Sequence, residues 1–141
     1  MDFRTIISWI VFAPVHLMID GPFGSLAIAS FGLLSIAGFV FTGGVARRRL
    51  IAPLLILPTV SIFLLAWAAY FAVHPNGHEV RPDWVSVPSL VVPFALITTG
   101  IIFLWLLPRA WLFVGSYTIL NYFFCSYASL IAAMAISGTW L

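Results

Sequence analysis

Four long stretches without a single charged side chain, residues 23–42, 51–73, 85–107 and 111–136, constrain this chain more than any other feature. About 20 apolar residues of helix cross the hydrocarbon core of a bilayer, and each stretch reaches that length. Lipid offers no water to backbone N–H and C=O groups, so a spanning segment must satisfy them internally, as a helix does. Burying all four stretches in a water-soluble fold would require a charged surface to cover them. Soluble domains devote about 25% of their residues to charge, whereas this chain has 7%, with 63% hydrophobic residues. The sequence therefore predicts an all-α integral membrane protein. It is read as one transmembrane helical domain over residues 1–141, with four long transmembrane helices and a short N-terminal membrane helix over residues 3–19.

Charge placement predicts orientation. Arg47, Arg48 and Arg49 are half of the six cationic side chains, and they follow Gly43 and Gly44, which should end the first long helix. Cytoplasmic loops collect Lys and Arg. The Arg elbow, and Arg109 in the short turn between the last two stretches, are expected on the cytoplasmic side. Residues 74–84, with two prolines and the Asn76-Gly77 pair typical of turns, form a loop on the opposite side. Trp67, Tyr70 and Trp84 bracket that loop as an aromatic belt.

Residues 3–19 leave two readings open. At 17 residues the segment is at the short limit for a crossing, and Pro14 should kink it. Asp2, Arg4, Thr5, Ser8, His16 and Asp20 fall within about half of the helical wheel. The segment either crosses with its polar edge facing the bundle and Arg4 on the cytoplasmic side, or lies flat in the interface. It ends in Asp20, Gly21 and Pro22 instead of a small-x-small cleavage site, so it reads as a retained element and not as a signal peptide.

Side-chain size predicts packing. Gly24, Ser25, Ala29, Gly32, Ser35, Ala37 and Gly38 are spread around the first long helix, which should have protein neighbours on more than one side. On the second, Pro58, Ser61, Ala68, Ala69 and Ala72 should face inward, with Ile56, Phe63, Trp67 and Phe71 toward lipid. On the last, Gly115, Thr118, Asn121, Tyr122, Cys125, Ser129 and Ala132 share the inward face. Leu112, Phe123, Tyr127, Leu130 and Met134 occupy the other.

Few residues offer chemistry. His16 and Asp20 stand four apart and can meet on one helix face; an ionisable pair beside a membrane suggests a ligand contact or proton relay. Asn121 and Tyr122 offer an amide and a phenol to the interior, as glue between helices or as a binding site. The Arg triplet and Arg109 can also hold anionic lipid headgroups. His74, His78 and Glu79 do not form a metal set, because Pro75 and the Asn76-Gly77 turn break the spacing that shared ligation needs. No metal is expected, no cofactor is specified and no basic stripe for nucleic acid is present. The expected partners are the bilayer and other membrane chains or further copies of this one. The expected function is a non-catalytic accessory or structural subunit of a larger membrane complex. The alternatives are a small homo-oligomeric channel or transporter, with the prolines, Thr98, Thr99 and the Asn121 face lining its path, and a membrane enzyme or relay using His16 and Asp20.

Overall fold

The computed structural model describes residues 4, 5, 8, 12, 16, 20, 24–73 and 83–137, with the backbone alone for residues 45–55, 72, 73 and 83. The continuous elements are α1 (Gly24–Phe41), α2 (Gly44–Val73), a 3-10 turn (Asp83–Ser86), α3 (Val87–Leu106), a second 3-10 turn (Pro108–Ala110) and α4 (Trp111–Ser137). No strand occurs among the described residues. Three stretches are long and apolar enough to cross a membrane: Gly24–Phe41, Trp84–Leu106 and Pro108–Ser137. Their outer faces suit hydrocarbon, since Leu26, Leu33, Phe94 and Trp105 are all exposed on the bundle surface.

The last helix is the hub. α1, α2 and α3 each pack along α4; α2 also touches α3, whereas α1 has little contact with either. Small side chains allow this. Cys125, Ala128, Ala132 and Ala135 lie fully or almost fully buried on α4, against Leu57, Leu64, Leu65 and Ala68 of α2 and Leu96 of α3. Phe39 meets Phe113 with ring centroids 5.5 Å apart and Phe31 meets Phe123 at 6.4 Å, so α1 runs antiparallel to α4. Gly100 against Thr118 and Leu104 against Gly115 give α3 the same antiparallel sense. Trp67 donates its indole N–H to the Val85 carbonyl at 3.1 Å, which puts the end of α2 at the start of α3. α2 and α4 are therefore parallel neighbours.

Two glycines set the closest approaches. A Cβ at Gly38 would lie 2.6 Å from the backbone nitrogen of Phe113, and one at Gly100 would overlap the Thr118 side chain. Beside the first contact, the hydroxyls of Ser35 and Ser116 meet at 3.0 Å across the α1–α4 seam. Ser116 donates to the Leu112 carbonyl of its own helix at 2.7 Å, and the single proton of Ser35 is shared between Ser116 across the seam and the Phe31 carbonyl of its own helix, also at 2.7 Å. With a local acceptor competing for that proton, the cross-helix bond should contribute about 0.6 kcal/mol, the average for membrane double-mutant cycles. A cycle of Ser35→Ala and Ser116→Ala, read by unfolding in detergent, is expected to return a coupling energy of that size.

The structure corrects several expectations. The Arg elbow is not a loop: Gly43 separates the helices, but Arg47, Arg48 and Arg49 lie in the first turns of α2, which begins at Gly44 instead of residue 51. Thr42 closes α1, its hydroxyl on the Gly38 carbonyl at 2.7 Å. Within this chain the buried residues of α1 are Ser35 and Gly38. Trp67 is part-buried and not turned to lipid, because its N–H needs an acceptor and finds one at Val85. Trp84 lies 6.3 Å from it, so this end does carry an aromatic cluster.

Candidate functional site

The polar groups of the hub helix lie along its packed side. Ser116, Thr118, Asn121, Cys125 and Ser129 span about 20 Å of axis at 1.5 Å per residue. Asn121 is 7% exposed and donates its side-chain N–H to the Tyr117 carbonyl at 2.8 Å. Tyr122, expected beside it, is only half-buried, as is Gly115. The Cys125 thiol is completely buried, as is Ser61 from α2, and the Ser61 and Ser129 hydroxyls lie within reach of that thiol. None of the serine, threonine and asparagine side chains in this row gains or loses a proton near neutral pH. The row can hydrogen-bond; it has no carboxylate, imidazole or amine to act as a general base.

His16 and Asp20 do meet, but outside this row. Nδ1 of His16 stands 4.0 Å from Oδ2 of Asp20, with the side chains 71% and 75% exposed. Arg4, Thr5, Ser8 and Phe12 are likewise helical and exposed, and the Ser8 hydroxyl donates to the Thr5 carbonyl at 2.9 Å. The described residues of this polar edge are therefore exposed within the chain. So exposed a contact is screened by solvent and contributes little.

The remaining candidates are scattered. Arg109 is exposed in the turn between α3 and α4, flanked by the exposed indoles of Trp105 and Trp111. They stand at the opposite end of the bundle from Trp67 and Trp84. For Arg47, Arg48 and Arg49 the helical backbone is defined, and their side chains fall outside the described set, as do residues 74–82 with His74, His78 and Glu79. Among the described residues no group of three His, Cys, Asp or Glu side chains could hold a metal ion. Thr98 and Thr99 donate to the Phe94 and Ala95 carbonyls of their own helix, at 2.9 and 2.7 Å. Within this chain Thr98 is exposed and Thr99 half-buried, whereas Asn121 is buried.

The fold and these positions define a class: a helical bundle with spans able to cross a membrane. Comparison with protein-family models, with curated proteins and with solved structures finds no match for this chain.

Proposed function

We propose that this chain is a non-catalytic accessory subunit of a larger membrane protein complex, crossing the bilayer four times through α1 to α4. In this reading the cytoplasmic side is the end that carries the start of α2, with Arg47, Arg48 and Arg49, and the Arg109 turn. The observation that supports it is the unfilled flank of α1. Ser25 and Ala29 are exposed there, and a Cβ on Gly32 would meet nothing within 4 Å among the described residues. Leu33, Ile36 and Val40 stand exposed beside that shallow strip. Small residues at such a strip let a second helix approach closely, which is how helices associate where lipid is as apolar as leucine. A partner's helix fits the strip; none of the chain's described helices fills it.

Gly32→Leu tests the reading, because the side chain is added where the fold has room. Affinity purification in mild detergent is expected to recover a reproducible set of different chains with the wild type. The variant should lose them at least tenfold while keeping its own Tm. Recovery of this chain alone, as a clean oligomer, would replace the subunit reading with the homo-oligomeric one.

A further inference from the structure

The connection between α3 and α4 is short and held in place. Leu107 donates its N–H to the Phe103 carbonyl and Ala110 donates to the Leu107 carbonyl, both at 2.9 Å, and Ala110 is buried in one cluster with Phe113 and Val114. Arg109, one residue before it, is exposed. The turn therefore fixes a cation at this end of the bundle. Each helix that it joins presents an indole there, Trp105 at 88% exposure and Trp111 at 64%. Phe41, also exposed, ends α1 at the same end, since Phe39 meets Phe113. α2 runs parallel to α4, so its first turns, with Arg47, Arg48 and Arg49, belong to this end as well. The stretches that build it supply no carboxylate: no Asp or Glu occurs in residues 21–78 or 84–141, and Asp83 heads the turn before α3, at the other end. Four positive charges gathered without opposite charge in these helices make this end complementary to an anionic surface. The indoles narrow the kind of anion. Tryptophan settles at headgroup depth because its ring is apolar and its N–H can donate, and an arginine fork suits phosphate oxygens. We propose that, in the bilayer that α1 to α4 are read as crossing, Arg109 holds the phosphate of an acidic phospholipid, with Trp105 and Trp111 beside its glycerol backbone and first acyl carbons. A free phosphate ion would use the arginine and gain nothing from the indoles. One basic side chain near an anionic leaflet strengthens association by about fivefold, which is the discrimination expected of Arg109 against a zwitterionic lipid.

The full chain, purified in mild detergent, is incubated with equal amounts of phosphatidylglycerol and phosphatidylcholine of the same acyl chains, and the lipids that stay bound are counted by native mass spectrometry. Wild type should retain the acidic lipid over the zwitterionic one by about fivefold or more. Arg109→Gln, an exposed substitution that should leave the Tm unchanged, should lower that ratio by about fivefold. Trp105→Leu combined with Trp111→Leu keeps the charge and should lower retention of both lipids. Excess glycerol phosphate should leave the wild-type ratio as it was. Equal retention of the two lipids by wild type overturns the site, as does an Arg109→Gln ratio that matches wild type or unchanged retention in the double indole variant. Displacement by glycerol phosphate also overturns it, because a soluble phosphate would then be the ligand. The lipid on this chain is read whether or not other chains co-purify. Loss of co-purifying chains from Arg109→Gln with its lipid ratio intact would assign the arginine to a protein partner and overturn the lipid site.

Discussion

Gly38→Ala should destabilise the bundle by about 1–3 kcal/mol, the usual cost of overpacking a filled interior, and Gly38→Leu should prevent α1 from docking. The added Cβ would lie 2.6 Å from the nitrogen and 2.8 Å from the Cα of Phe113. Those are backbone atoms of the hub helix, so no rotamer change can clear them. Either the α1–α4 distance must open, or α1 must leave. Opening would also pull Ser35 from Ser116 and Phe39 from Phe113. Unfolding in a denaturing detergent titration, followed by circular dichroism, reads the loss. Gly32→Leu is the internal control: on the same helix, but into open space, it should leave the midpoint where it was. Equal sensitivity at both positions would mean that the Gly38 contact is not what seats α1.

Gly100→Ala should cost a similar 1–3 kcal/mol, but here the cost should be recoverable. What the new methyl would strike is a side chain: Oγ1 of Thr118 at 2.7 Å, its Cβ at 3.0 Å, and its Cγ2 closer still. Thr118→Ala takes away the methyl and a hydroxyl that is buried without a partner, so alone it should be close to neutral. Combined with Gly100→Ala it should restore much of the lost stability, a coupling of about 1–2 kcal/mol for two residues in contact. Rescue should be partial, because the Cβ at 118 remains. Additive effects in the double variant would show that α3 and α4 do not meet at this point.

Helical wheels read the inside of α4 well: Thr118, Asn121, Cys125 and Ala132 were expected inward and are buried. They read Trp67 poorly, because the wheel weighed its apolar ring and not the N–H that requires an acceptor. The elbow failed for a different reason. The glycines do separate α1 from α2, but Ala46 and three arginines have high helix propensity, so the helix restarts at once and absorbs them. Charge sets an expectation for which side of a bilayer that segment faces and is silent about its backbone. The candidate site residues suffered the same limit. Spacing of four was enough to bring His16 within 4.0 Å of Asp20, since that is a local property of a helix. Which way the pair faces depends on what the helix packs against.

The sequence by itself determined that the described chain is helical, that three of its long segments suit lipid and, except for the start of α2, about where each helix begins and ends. Those follow from local properties: uncharged runs of bilayer length, and backbone groups that hydrocarbon forces into helices. Only the tertiary structure decided that α4 is the hub, that α1 docks on it at Ser35 and Gly38 and that a strip around Gly32 is left unfilled. Small residues occur on several of the helices, and their composition does not say which pairs dock. That choice is made by shape, at Gly38 against Phe113 and Gly100 against Thr118, where two helices come close only because one residue in each pair has no side chain.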